Sequence, residues 1–123
     1  MGRAQPIFFN QERDMHTQAD IEFIHNTARQ AAEQAAQDYI AKHGEDWYCG
    51  FAWVTVREKG NTKLGRALKR VGFRPAYGGG LQLWNPSGHG TQSMSVKEAG
   101  AEAYARVLRY FGIKEVYAGS RAD

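Results

Sequence analysis

Trp47-Tyr48-Cys49-Gly50-Phe51-Ala52-Trp53-Val54-Thr55-Val56 is an aromatic and β-branched run, and it reads as a central strand. Trp47, Phe51 and Trp53 are most simply core residues of that strand. Immediately upstream the period changes. From Thr17 to His43 the positions Ile21, Ile24, Ala28, Ala31, Ala32, Ala35 and Tyr39 follow i, i+3, i+4 spacing, and Gly44 is a natural stop, so this segment reads as a long helix. Alanine dominates its apolar face. Alanine permits close approach of a neighbouring helix but buries little area per residue. A helix of about 27 residues so thinly padded predicts packing against a partner helix in a homodimer.

Downstream, Asn61-Thr62 caps a short basic helix near Lys63–Val71, which Gly72 ends. Phe73 and Pro75 lead into a glycine run, and Gly80–Trp84 reads as a second, short strand. Ser95-Val96-Lys97-Glu98 has the form of a capping box. The helix it opens places Ala99, Ala103, Val107, Leu108 and Phe111 inward and stops at Gly112. Ile113–Ala118 reads as a third strand, and Gly119–Asp123 as a polar tail of the kind that frays. The order helix, strand, helix, strand, helix, strand predicts an α+β fold. It is a small sheet of about three or four strands packed by helices, with the long Ala-rich helix at the N-terminus. The direction of the strands stays open. Residues 1–15 are an unpatterned leader whose Ile7-Phe8-Phe9 patch could dock on the domain or a neighbouring subunit, and residues 16–123 form a single domain.

The 123 residues carry 42% apolar side chains and a net charge of +3. No run approaches the ~20 apolar residues that span a bilayer, and the N-terminus lacks a secretory apolar region. Cys49 is the single cysteine, which excludes an internal disulfide and suits a reducing cytosol. Seven basic residues and one acid lie between Arg57 and Arg74, a local net charge of +6 that favours an anionic partner.

The stretch Tyr77–Gln92 (YGGGLQLWNPSGHGTQ) holds many glycines and hydrogen-bonding side chains, yet no acid, lysine or arginine. Glycine backbone approaches a ligand closely. Trp84 offers a flat ring, while Asn85, Ser87, Thr91 and Gln92 can read polar edges. The mixture suits the rim of a nucleotide pocket whose counter-charge comes from elsewhere. Phe73, just past a helix end and beside Arg74, is either a core residue or a stacking ring. Arg57, Arg66, Arg74, Arg109 and Arg121 are the guanidinium forks able to grip a phosphate in two places. Catalysis has little support. His16, His25, His43 and His89 fall into no metal-binding spacing, and no Walker lysine, G-x-S-x-G elbow or paired carboxylate is present. His89 alone, in the glycine-rich loop, could act as an acid or base.

The blocks Cys49-Gly50-Phe51-Ala52-Trp53-Val54, Asn61-Thr62-Lys63-Leu64-Gly65, Leu81-Gln82-Leu83-Trp84-Asn85-Pro86, Lys97-Glu98-Ala99-Gly100-Ala101 and Ser120-Arg121-Ala122-Asp123 resemble the first family of Thoeris anti-defence proteins. These are bacteriophage-encoded sponges for signalling nucleotides, and the resemblance spans roughly residues 47–123. It implies a homo-oligomer, a dimer or a higher assembly such as a hexamer, that binds cyclic ADP-ribose isomers without cleaving them and starves a host Thoeris effector. Some members are similar in binding cyclic oligonucleotides at a second site, which would extend the effect to CBASS-type defence. The family's aromatic, asparagine and arginine contacts would fall on Phe73, Asn85 and Arg121.

Residues and resemblance together predict a non-catalytic binder of a cyclic nucleotide, with no cofactor, metal or membrane association. Phe73 or Trp84 would stack on the base, and Asn85, Ser87, Thr91 and Gln92 would read ribose and base edges. Arg121, with Lys97 and Arg109, would meet the phosphates. Two alternatives remain: a nucleic-acid or host-protein binder acting through the basic Arg57–Arg74 block, and a small nucleotide-processing enzyme using His89.

Overall fold

The computed structural model describes residues 17–123. The alanine-spaced segment is helix α1, Gln18–His43. Thr17 caps it by accepting the Asp20 amide at 3.1 Å, and the chain leaves at Gly44, where φ is 74°. Strand β1 (Gly50–Val56) follows, then the short basic helix α2 (Lys63–Arg70), capped by the Thr62 hydroxyl on the Gly65 amide at 2.9 Å. Strands β2 (Arg74–Pro75) and β3 (Leu81–Trp84) come next, then helix α3 (Met94–Tyr110) and strand β4 (Val116–Ala122). The four strands form one antiparallel sheet in the order β2-β3-β1-β4, and β1 is central as its composition predicts. The fold is α+β.

The inner face of the sheet buries Ala52, Val54, Val56 and Leu81 against Leu64 and Leu68 of α2, Tyr104 and Leu108 of α3, and Ile21, Ile24, Ala28 and Ala32 of α1. Phe73 is fully buried in the same core. Ala28, Ala32 and Ala36 are fully buried too, and the helix that α1 packs against is α3 of the same chain. Ala28, Ala32 and Ala36 pack within the chain because Gly100 and Ala101 of α3 are equally small and let the two helices close on each other, while Ala31 and Ala35 stay half-buried.

Several boundaries differ from the sequence expectation. Ser93, not Ser95, caps α3 by accepting the Val96 amide. The Ser95 hydroxyl instead donates to Asp46 across the fold. Gly119–Asp123 does not fray: β4 pairs with β1 from Val116↔Val56 to Ala122↔Gly50, and the Asp123 amide donates to Cys49 O at 2.9 Å. Seven ladder pairs hold what composition alone reads as a solvated end. Trp47 lies ahead of β1 in the connection from α1 and is 98% exposed, so it belongs to no core. The Ile7-Phe8-Phe9 patch and His16 lie outside the described residues. No helix among the described residues is long and apolar enough to cross a membrane.

One core contact is polar. His25 Nδ1 and the Tyr104 hydroxyl lie 2.6 Å apart where α1 meets α3. Burial, and secondarily the Arg29 guanidinium, hold the His25 imidazole below its ordinary value of 6.5, and burial pushes the Tyr104 phenol well above its usual range. As pH falls through 6.5 the unfolded chain takes up a proton at His25 that the folded chain resists, so stability declines from pH 7 towards pH 5. Thermal melts of wild type and His25→Asn across that window should show a shallower pH slope for the variant. Equal slopes would assign the dependence to other groups.

Candidate functional site

Along β1 the side chains alternate: Ala52, Val54 and Val56 are buried, while Phe51, Trp53 and Thr55 stand on the opposite face of the sheet. The register extends this second face into three rows. Trp84 of β3, Trp53 of β1 and Gly119 of β4 lie side by side. Phe51 pairs with Arg121. Arg74, Gln82, Thr55 and Tyr117 form the third row.

The Trp53 and Trp84 rings are 4.8 Å apart and inclined at 36°, and Phe51 meets Trp84 edge-on at 5.9 Å. Trp53 lies low over β4 because position 119 has no Cβ: one built there would sit 2.8 Å from the indole Nε1. Two cations approach the Phe51 ring, Lys97 Nζ at 5.4 Å from its centroid and the Arg121 guanidinium carbon at 5.9 Å. Lys97 is further fixed by donating to Gly50 O at 2.9 Å. Trp84 is 48% exposed and Tyr117 55% exposed. The structure thus gathers Trp84, Lys97 and Arg121, three residues singled out from the sequence, around Phe51 and Trp53.

The glycine-rich loop is built differently from the sequence expectation. Asn85 turns the chain at φ 47°, and its Nδ2 donates to His89 O at 3.0 Å. The Ser87 hydroxyl accepts the His89 amide at 3.2 Å, and His89 Nδ1 accepts the Thr91 amide at 3.2 Å. Thr91 donates to Glu45 and accepts the Ser93 amide, while Ser93 and Ser95 both donate to Asp46. Ser87 and Thr91 are buried. The loop bonds mainly to itself and to two carboxylates from the α1–β1 connection. Asn85, Ser87 and Thr91 are therefore engaged in holding it, while Gln92 stays exposed.

Two further expectations are corrected. Phe73 has no accessible face and packs near Tyr104, with ring centroids 6.2 Å apart, so it cannot stack on a ligand. Arg109 donates to Val116 O at 2.7 Å at the opposite end of β4 from Arg121, which ties α3 to the sheet. Phe51, Trp53, Tyr117 and Gly119 were not singled out as contacts. The signal for the first two was present: large rings at 51 and 53 alternate with smaller side chains at 52, 54 and 56.

Among the described residues Trp84 and Tyr117 of the aromatic face are exposed, and Phe51 and Trp53 are half-buried. Clefts of about 380 and 540 Å³ lie elsewhere, one between Tyr39, the start of α3 and β4, the other between α1 and α3. Among the described residues no group of three or more His, Cys, Asp and Glu side chains is placed to hold a metal ion. No protein-family model matches the chain, and no curated protein or solved structure matches it.

The Ser93 and Ser95 hydroxyls hold the Asp46 carboxyl below its ordinary value of 3.8. The stabilisation this represents is present above pH 3.8 and is lost as pH falls through the lower folded-state value. Asp46→Ala should lower the melting temperature at pH 7 and reduce the loss of stability on acidification; an unchanged acid limb in melts from pH 7 downward would remove Asp46 from the loop's support. Phe73→Ala should cost about 3–5 kcal/mol in denaturant unfolding, as for a large core ring; a cost below ~1 kcal/mol would contradict its core role.

Proposed function

We propose that the protein binds a nucleotide without reacting with it, laying the base on the Trp53–Trp84 pair and meeting phosphate with Arg121 and Lys97. The observation that carries this reading is the Trp53–Trp84 indole pair, of which Trp84 is 48% exposed, lying beside two cations gathered on the Phe51 ring. A base stacked on an indole gains about 1–3 kcal/mol, and a hydrogen bond to a charged group about 1.5–3 kcal/mol. One stack and two such contacts total roughly 4–9 kcal/mol before the cost of ordering the ligand, which corresponds at best to micromolar affinity.

A sponge has to outcompete a receptor and needs about −12 kcal/mol. An open face leaves the far side of the base in water, so tight sequestration calls for a second surface. A further copy in a homo-oligomer, a dimer or higher, would supply it. The resemblance to Thoeris anti-defence proteins makes cyclic ADP-ribose isomers the first ligands to test, followed by cyclic di- and trinucleotides. A phage protein of this kind would act in the host cytosol.

The openness of the face also favours a second reading, a single-stranded nucleic acid running across Trp84, Trp53 and Tyr117 with Arg74 and Arg121 on its phosphates. Salt separates the two: each phosphate contacted on a single strand steepens the logarithmic salt slope by about 0.7, and a small cyclic nucleotide has few phosphates.

Calorimetric titration with these nucleotides, alongside quenching of tryptophan fluorescence, tests the proposal. Trp84→Ala and Arg121→Ala should each weaken binding by roughly tenfold or more, with unliganded melting temperatures little changed, while Arg109→Ala should leave affinity alone. Ligand recovered intact after denaturing the protein would separate binding from turnover. Unchanged affinity in both platform variants would remove the sheet face from the site.

A further inference from the structure

Strand β4 is one edge of the sheet, and among the described residues no strand pairs with its outer side. The other edge, β2, is two residues long and one of them is proline, which removes an amide donor there. β4 has neither protection: it runs for seven residues, VYAGSRA, with no proline and no lysine. The ladder fixes which of its backbone groups face outward. The Asp123 amide donates to Cys49 O and the Arg57 amide to Glu115 O, so the odd-numbered residues of β4 bond to β1. The amides and carbonyls of Ala118, Ser120 and Ala122 therefore point away from β1. Val116 O points the same way and is already taken by Arg109. The open part of the edge is 118–122.

The side chains of Ala118 and Ser120 stand on the helical side of the sheet, where Ala118 packs on the core and the Ser120 hydroxyl donates to Glu98. The cleft of about 380 Å³ lies there, with Tyr39, Glu98 and Glu102 around it. Glu98 and Glu102 are one helical turn apart on α3, and among the described residues neither forms an ion pair. An unprotected edge thus runs beside a cleft whose carboxylates lack a cation.

We propose that this edge takes an extended segment of a partner protein as a further antiparallel strand, with lysine or arginine at alternate positions. Each incoming residue opposite Ala118 or Ser120 exchanges two backbone hydrogen bonds with β4 and, by the pleat, directs its side chain to the helical side. There it meets Glu98, Glu102 and the Tyr39 ring, which stabilise an ammonium or guanidinium group and disfavour a carboxylate. The residue between them is level with Gly119 and has its side chain on the ring face beside Trp53, where an aliphatic group is removed from water. The backbone supplies affinity common to any extended chain, and the two carboxylates select a basic, apolar, basic order. Binding at this edge requires no nucleotide on the ring face.

Fluorescence anisotropy of a short labelled peptide of alternating lysine and valine, titrated with the full chain, provides the test. A peptide of the same composition with all lysines before all valines is the reference. The alternating peptide is expected to bind at least about tenfold more tightly than the blocked one. Ser120→Pro removes an outward amide without touching the β1 ladder and should weaken binding by roughly tenfold or more, whereas Ser120→Ala keeps that amide and should bind nearly as wild type. Combining Glu98→Gln with Glu102→Gln should weaken the alternating peptide by a similar factor. N-methylation of the peptide's lysine amides, which face β4 in this register, should abolish binding, while N-methylation of its valine amides, which face away, should not. That arm leaves the protein unaltered. Equal affinity for the two peptides, indifference to Ser120→Pro in a chain with wild-type circular dichroism, or loss on valine instead of lysine methylation would each overturn the proposal. So would an oligomer of the chain that Ser120→Pro dissociates while no peptide binds, since a second copy would then occupy the edge.

Discussion

Gly100 is the point at which the loop before α3, the helix α1 and the helix α3 touch. A Cβ at that position would fall 2.8 Å from the Ser87 Cβ and 3.4 Å from the Ala32 carbonyl oxygen. The absence of one side chain lets α3 press on α1 along a seam of small residues and lets the Asn85–Thr91 loop fold down onto both. The consequence reaches the sheet. That loop leaves directly from Trp84, and the Asn85 amide is tied to Ala52 O at 2.9 Å. The position of Trp84 beside Trp53 thus rests on packing that begins in the helical layer.

The second organising feature is the division of labour across β1. Its buried side chains are small or β-branched, and its outward side chains are large rings with Thr55. A solvent-facing strand position ordinarily carries a polar residue. Placing Phe51 and Trp53 there, with Trp84 and Tyr117 on the neighbouring strands, leaves apolar area in water that folding alone does not require. Lys97 and Arg121 partly screen one edge of it through cation–π contact, which keeps the patch accessible yet electropositive. The nucleotide proposal above rests on that combination of rings and cations.

The loop shows how long-range contacts change the meaning of local composition. Read alone, Tyr77–Gln92 contains no acid, and its hydroxyls and amides look available for a ligand. In the folded chain Glu45 and Asp46 arrive from the α1–β1 connection and take up the Thr91, Ser93 and Ser95 hydroxyls. Much of the loop's hydrogen-bonding capacity is spent on its own placement, and the proposed recognition rests instead on the rings and cations of the adjoining sheet. His89 follows the same logic, since its Nδ1 is occupied by the Thr91 amide.

What the sequence determined by itself is local: periodicity, caps and stops. The α1 repeat with Thr17 and Gly44, the Thr62 cap, the β-branched run of β1 and the stop at Gly112 depend on residues a few positions apart, and each marks its element. Trp84, Lys97 and Arg121 stood out by residue chemistry, and the fold brings them together around Phe51. Tertiary structure alone decided what depends on pairing between distant segments. It chose which rings of β1 face water, because that depends on which face the helices cover. It gave Gly119–Asp123 a strand to pair with, turned Phe73 inward, sent Arg109 to a backbone carbonyl, and set α3 against Ala28, Ala32 and Ala36 of α1. A residue's type fixes what it can do, but the face it occupies is set by contacts between parts of the chain tens of residues apart.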